Sequence, residues 1–205
     1  MLGKHIVLGA ATVLLAGWMN ANATEYQIDP AHSEVSFKVK HLTISTVTGS
    51  FSDVSGSFDV DLKNLAATKG SAVIKVASIT TNNVKRDTHL KSNDFFNADS
   101  FPEIKFVSKS VTNVNMADTT CDLTGDLTIR DVTKEITLKV KGTGILANDG
   151  WGNERAAFSA TGRINRFDYN LKWNKAIETG GLVVAPDVDL VLSFEGVHAP
   201  DKSQK

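Results

Sequence analysis

The sequence predicts an all-β protein whose eight strands either close into a barrel or pack as a sandwich. Two observations support this fold class. Eight segments alternate apolar and polar residues, which is the pattern of strands that bury one face. Few long helices are available to cover such a sheet, so the sheet has to hide its own apolar face. Eight strands closed into a barrel leave an interior that holds side chains or one small ligand.

The strand boundaries follow from the positions where the alternation stops. The predicted strands span residues 34–40, 47–62, 71–79, a segment that begins at 104, and 121–130, 136–140, 156–164 and 188–194. In the second strand the apolar positions change from odd to even numbers near Ser52 and Asp53, which predicts a β-bulge there. The short link 131–133 predicts that the fifth and sixth strands form an antiparallel hairpin.

The segment 82–102, between the third and fourth strands, interrupts the strand pattern with charged and aromatic residues. Asn82 or Asn83 is suited to cap one short helix, and Ser92 a second. Apolar residues do not recur at helical spacing over the whole segment, which favours two short helical turns. Two interpretations stay open: the insert is a lid or mouth, or it is a connection that plugs one end of a barrel.

The N-terminus has the pattern of a cleaved signal peptide over residues 1–23. An apolar run over 6–18 follows Lys4, and Ala21-Asn22-Ala23 matches a cleavage site. The predicted mature chain is therefore exported and begins at Thr24, and an uncleaved membrane anchor is the alternative.

The remaining composition is typical of a globular domain, expected over 24–198, with a polar C-terminal tail over 199–205. Hydrophobic residues make up 41% of the chain and charged residues 22%, which excludes a disordered protein. The net charge of −1 argues against nucleic acid as a partner. Cys121 is the single cysteine, so no internal disulfide can form, and its apolar strand position predicts a buried, inert thiol.

The predicted inward faces contain unusually small residues. These are Gly49, Gly56, Gly125, Ala156, Ala160 and Gly162. The glycines can serve bends and bulges of a barrel. Alternatively, the missing volume is a cavity for an apolar guest. The two alanines are not explained by bending, which favours the cavity.

No sequence motif indicates catalysis or a bound metal. The histidines lack zinc-ligand spacing, and the chain has no G-x-S-x-G, P-loop or dinucleotide fingerprint. We therefore expect no metal, no cofactor and no enzymatic activity. Five polar residues near strand ends are candidates to line a cavity mouth and hold a polar head group, or to be solvated structural residues: His32, His41, Arg86, His89 and Arg166.

The chain resembles the YceI-like family of periplasmic polyisoprenoid-binding proteins. The matching segments, in order along nearly the whole predicted mature chain, are DPAHSEVSFKVKHLTISTVTGSF at 29–51, KRDTHLKSNDFFNADSFPEIKF at 85–106, LTGDLTIRDVTKEITLKV at 123–140, FSATGRINRFDYNLKWN at 158–174 and the closing strand to about Val197. The resemblance implies an eight-stranded antiparallel, lipocalin-like barrel, a long amphiphilic lipid in a tunnel, and a homodimer.

With this resemblance, the sequence predicts binding, storage or transport of a polyprenyl or quinone-like lipid, with transient membrane contact. The residues expected to line the tail cavity are Phe37, Phe51, Phe95, Phe96, Phe106, Leu127, Phe158, Ala160, Gly162 and Trp173. Two alternatives remain: an enzyme that acts on a lipid or isoprenoid, and a stress-associated structural barrel without a ligand.

Overall fold

The structure, a computed structural model, describes residues 23–61, 63–176 and 182–198. Residues 1–22 of the predicted signal peptide and the predicted tail 199–205 therefore lie outside the described residues. The strands are β1 (Thr24–Ile28), β2 (Glu34–His41), β3 (Ser45–Phe51), β4 (Val54–Val60), β5 (Lys69–Lys75), β6 (Ile79–Thr80), β7 (Glu103–Asn115), β8 (Thr120–Ile129), β9 (Val132–Leu146), β10 (Glu154–Asn165) and β11 (Val184–His198). One α-helix, α1 (Val84–Lys91), lies between β6 and β7.

These strands form one closed antiparallel barrel. The pairing order is β4–β5–β7–β8–β9–β10–β11, and β1 closes the barrel by pairing with both β4 and β11. β2 extends β1 and β3 extends β4, because β2 pairs with the first part of β11 and with β3. β6 likewise continues β5 through a short 3-10 turn. The eleven strand segments form eight barrel strands, because three of these barrel strands are interrupted: β1 continues into β2, β3 into β4 and β5 into β6. This confirms the predicted eight-stranded barrel.

The phase change predicted near Ser52 and Asp53 is present as an interruption between β3 and β4. Phe51 and Val54 both point into the barrel, with 6% and 2% of their surfaces exposed. The backbone groups of Asp53, which form no strand pairing, bond to the neighbouring β5–β6 strand. The N–H donates to Ser78 Oγ at 3.1 Å, and the carbonyl accepts from Lys75 N–H at 2.9 Å. The interruption ends one strand and begins the next, so it is not the bulge within one strand that the sequence suggested.

The β8–β9 hairpin is tighter than the predicted link 131–133. Ile129 pairs directly with Val132, which leaves Arg130 and Asp131 as a two-residue turn. Arg130 adopts φ 56° to make this turn. Its guanidinium donates to the carbonyl of Phe95 at 3.2 Å and therefore ties the turn to the insert.

The insert contains one helix and not two. Asn83 caps α1, and its side-chain oxygen accepts from Arg86 N–H at 3.0 Å. Ser92 ends the helix instead of starting another, because its hydroxyl donates to the carbonyl of His89 at 2.8 Å. The chain then makes consecutive turns in which Asn97 has φ 49°, outside the helical region. The prediction of a second helix at Ser92 is therefore wrong.

The hydrophobic core lies inside the barrel and divides into two clusters. The larger cluster contains buried residues from most of the barrel strands, together with Phe95 of the insert and Leu171. The smaller cluster joins Tyr26, Phe58 and Ala156 at the other end of the barrel. Within the described ranges, no helix has the length and apolar character needed to cross a bilayer.

Candidate functional site

The barrel contains an apolar cavity of about 460 Å³. Its wall extends from Phe95 and Arg166, beside the insert, to Thr143 and Ile145 at the far end of β9, so it follows the length of the barrel. Inward-facing aliphatic and aromatic side chains supply most of the wall. This volume lies within the range of roughly 300–1,000 Å³ that is typical of ligand sites.

The cavity opens at the end of the barrel opposite the insert. The wall residues that are exposed to solvent are Lys69, Ser71, Thr143, Gly144 and Ile145. All five lie at the start of β5 or the end of β9. We call this the open end; the loops that surround it are 61–68, 116–119 and 147–153. The other end, which carries the insert and the β2–β3 and β8–β9 turns, is the insert end.

Aromatic side chains close the insert end. Phe95 is 6% exposed and lies 5.3 Å, between ring centroids, from Trp173. Phe96 packs edge-on against Phe51 at 5.8 Å. The adjacent phenylalanines therefore anchor the insert on two different sets of partners, and both contribute to the cavity wall. This arrangement agrees with the interpretation of the insert as a plug.

Gly49 and Gly125, on the inward faces, make room for neighbouring aromatic rings and do not add open space to the cavity. A Cβ built on Gly49 would lie 2.3 Å from Cζ of Phe37, and one on Gly125 would lie 2.5 Å from Cζ of Phe106. These rings pack over the glycines and fill the space that a side chain would occupy. Ala160, which is 2% exposed, does lie on the cavity wall.

Eight of the ten residues predicted to line a lipid tail lie on the cavity wall: Phe37, Phe51, Phe95, Phe96, Phe106, Leu127, Phe158 and Ala160. Their contact with a lipid stays a prediction. Gly162 is not on the wall, because a Cβ there would lie 2.7 Å from Cδ2 of Leu138, which occupies the space. Trp173 is also absent from the wall, since it packs outside Phe95 and against His89.

Arg86 and His89 of α1, predicted to line a mouth, do not reach the cavity wall. Arg86 donates through Nε to Thr81 Oγ1 at 2.7 Å and through Nη2 to the Thr81 carbonyl at 2.9 Å. His89 pairs with Asp94 at 2.8 Å. Both residues hold the insert in place and lie off the cavity wall, so their contact with a head group stays a prediction.

His32 and His41 also lie away from the cavity wall. His32 lies in the β1–β2 connection, where its Nδ1 is 2.8 Å from Asp29 Oδ2. His41 ends β2 at the insert end and pairs in register with Ser45 of β3. Both residues lie near strand ends, as the sequence order suggested, but neither side chain contributes to the cavity wall.

Arg166 reaches the wall at the closed end and not at a mouth. The residue is 3% exposed, and its guanidinium is held by backbone carbonyls. Nε donates to Ala185 at 2.9 Å, Nη2 donates to Val184 at 3.0 Å, and Nη1 donates to Leu171 and to Trp173, the latter at 2.9 Å. Burial lowers the pKa of Arg166. The side chain therefore joins the segments that close the insert end.

The polar residues at the open end were not predicted from the sequence. Thr68, Lys69, Thr119 and Thr143 all contribute to the wall there. Thr68 Oγ1 is buried without a hydrogen-bond partner in the described part of the chain. Thr143 is the extra residue where the β9–β10 register shifts between Ala157 and Phe158. After residue 140 the regular alternation of apolar and polar residues stops, and this was the sequence signal for the polar residues at the open end.

Cys121 faces the cavity near the open end. Burial raises the pKa of its thiol, with a smaller contribution from the neighbouring Asp122. A raised pKa keeps the thiol mostly protonated at neutral pH and slows its reactions. Cys121 is half-buried and not fully buried as predicted, and its inertness stays a prediction.

Outside the barrel wall, a network of charges joins β10 to the β1–β2 connection. Arg155 donates to Asp149 at 2.8 Å, to Asp29 at 3.0 Å and to Glu195 at 2.6 Å. Asp29, His32 and Glu195 offer atoms close enough together to ligate a metal. Arg155 already donates to both carboxylates, which agrees with a structural ion network.

An antiparallel eight-stranded barrel with an apolar cavity open at one end defines the lipocalin-like class of barrels. Comparison with known proteins identifies the family: the model described as YceI-like domain matches residues 26–196, and the chain belongs to this family.

Curated relatives and solved structures agree with this assignment. The UPF0312 proteins of Staphylococcus aureus strains MSSA476 and MW2 are each 39% identical over 172 residues, covering 84% of this chain and 96% of the relative. The Campylobacter jejuni YCEI protein is 33% identical, with a TM-score of 0.65 over 78% of this chain and 89% of that one.

Two more distant structures share the fold. Burkholderia cenocepacia BcnA is 23% identical, with a TM-score of 0.71 over 82% of this chain and 98% of that one. A domain from Saccharophagus degradans, described as polyisoprenoid binding, is 17% identical, with a TM-score of 0.62 over 85% of this chain and 98% of that one.

Proposed function

We propose that this protein binds a long-chain isoprenoid lipid, polyprenyl or quinone-like, and stores or carries it without altering it chemically. The observation that supports this most directly is the apolar cavity that follows the barrel and opens at one end. A fold relative described as polyisoprenoid binding adds support for the ligand class.

In this proposal the tail enters first and the head group stays at the open end. The wall near the insert is made by aromatic and aliphatic residues such as Phe95 and Phe96, whereas Thr68, Lys69 and Thr143 surround the opening. Each CH₂ removed from water contributes about 0.8 kcal/mol. A bilayer offers a tail the same apolar environment, so head-group contacts and fit have to decide between barrel and membrane.

The composition of the wall favours binding over catalysis. Among the described residues, no Asp, Glu or His side chain contributes to the wall, and its charged residues are Lys69 and Arg166. General acid–base chemistry ordinarily relies on such carboxylates or imidazoles within hydrogen-bond reach of the reacting atoms. The proposal therefore includes no catalytic residue, metal or cofactor.

We also propose that the protein is exported, cleaved after Ala23, and acts in the periplasm as a homodimer. Export is inferred from the pattern of Lys4, the apolar run 6–18 and Ala21-Asn22-Ala23. N-terminal sequencing of the periplasmic protein should begin at Thr24, and a retained Met1 would contradict cleavage. Light scattering of the purified protein tests the dimer.

Native mass spectrometry of the purified protein, followed by lipid extraction, tests the function. We expect one bound lipid per chain, with an isoprenoid tail and an unaltered structure after incubation. Protein without lipid favours an empty structural barrel, and a chemically altered lipid favours an enzyme.

Cys121 offers an independent measure of occupancy because it faces the cavity. An apolar maleimide should label the delipidated protein faster than the loaded protein. Equal labelling rates would place the lipid elsewhere.

A further inference from the structure

The loops at the open end carry exposed apolar side chains. Met116 in the β7–β8 loop is 51% exposed, Leu146 at the end of β9 is 55% exposed, and Trp151 in the β9–β10 loop is 84% exposed. Val114 and Ile145 flank them, each 37% exposed. We call these five residues the apolar rim. They are half of the ten large hydrophobic residues that are exposed in the described ranges, which concentrates apolar surface at this end.

The apolar rim is continuous with the cavity. Ile145 belongs both to the rim and to the cavity wall. The β7–β8 loop is joined to β9 where the carbonyl of Thr119, also on the wall, accepts from Gly142 N–H at 2.8 Å. Any surface that takes up the rim therefore covers the opening of the cavity.

The chemistry of the rim matches a lipid surface. Tryptophan is enriched where membranes meet water, because its ring is amphipathic. The open-end loops carry Lys63 against Asp61, Asp118 and Asp149, so they have no basic excess that would require anionic lipids. Separate loop tips are suited to a fluid surface, which accommodates individual side chains, whereas a protein partner calls for one flat, complementary patch.

We propose that the apolar rim inserts into the surface of a lipid bilayer and places the cavity opening directly against the membrane. The inference rests on the proposed function, because a lipid cargo has to pass between bilayer and barrel. Docking at the rim allows that passage without exposing the tail to water. The opposite orientation would place the closed insert end against the membrane and leave the opening in water.

Flotation with phosphatidylcholine vesicles tests the docking surface. The Met116→Ser, Leu146→Ser, Trp151→Ser triple variant should bind vesicles at least about tenfold more weakly than the wild type, because it loses most of the apolar area that inserts. All three side chains are exposed, so circular dichroism should show an unchanged fold.

A matched control is available at the insert end. Ile44 and Val84 are each 83% exposed, and the Ile44→Ser, Val84→Ser double variant should bind vesicles as the wild type does. Brominated phosphatidylcholine should quench the fluorescence of the wild type and of Trp173→Phe, and this quenching should disappear in Trp151→Ser.

Three results would overturn the docking surface: no vesicle binding by the wild type, equal losses in the triple and control variants, or binding that requires anionic lipid. The lipid content of each protein, measured separately by mass spectrometry, distinguishes this failure from failure of the proposed function. If the protein binds vesicles through its rim but contains no isoprenoid lipid, the proposed docking surface stands and the proposed isoprenoid ligand is contradicted.

Discussion

Replacing Arg166 with methionine tests whether this buried side chain holds the barrel together or recognises a ligand. Methionine keeps most of the side-chain volume but donates no hydrogen bonds. The carbonyls of Leu171, Trp173, Val184 and Ala185 then lose a donor. The Val184 carbonyl keeps its bond from Asn174 Nδ2 at 2.6 Å, so three carbonyls are left unsatisfied. A buried unsatisfied acceptor costs about 1–3 kcal/mol, and the low end applied to three carbonyls gives a loss of about 3 kcal/mol.

Thermal unfolding followed by circular dichroism measures this loss. For a domain of this size, 1 kcal/mol shifts the midpoint by about 2–4 °C, so Arg166→Met should unfold about 6–12 °C below the wild type. Arg163→Met, three residues earlier and within β10, is the matched control. Arg163 pairs with Asp189 at 2.6 Å, but its side chain is 65% exposed. An exposed pair contributes less than about 1 kcal/mol, so the control should shift little.

Lipid mass spectra recorded on both variants complete the test of Arg166. A structural role predicts lower occupancy together with lower stability, without a change in the lipid species that remains bound. A melting midpoint within a few degrees of the wild type, combined with a changed lipid species, would refute the reasoning. It would restore the head-group role that the sequence suggested.

Three further predictions concern the cavity, the insert and the charge network. Ala160→Phe should lower bound lipid severalfold at a cost of about 1–3 kcal/mol in stability, because the new ring enters the cavity; undiminished lipid in a folded variant would contradict this position. Arg86→Ala combined with His89→Ala should lower the melting temperature yet leave the bound lipid species unchanged, and an altered species would assign these residues to recognition.

The hydrogen bond from Arg155 holds the pKa of Asp149 well below its ordinary value of 3.8, so the stabilisation is present above about pH 4 and is lost as the pH falls further. In urea titrations, Asp149→Asn should therefore differ more from the wild type at pH 7 than at pH 2, and equal differences would show that this ion pair does not contribute.

Local sequence patterns predicted the strands and the helix start because their causes are local. Alternation placed Phe51 and Val54 on one face despite the interruption between them. Asn83 caps the helix through a bond to Arg86, three residues away. The second helix expected at Ser92 failed because the serine hydroxyl bonds backwards to His89. Its preference for caps suits either end of a helix, and spacing alone did not distinguish them.

The sequence by itself determined an all-β fold of eight strands with an apolar interior, because these features depend on alternation and on the lack of covering helices. The same patterns left a barrel and a sandwich open, and the family resemblance favoured the barrel. Only the tertiary structure decided which end is open, since that depends on how distant segments meet. Arg166 finds its acceptors up to 19 residues away, at Ala185, and closes the insert end. Phe37 fills the space above Gly49 on the neighbouring strand. A polar residue near a strand end therefore has no defined role until folding supplies its partners.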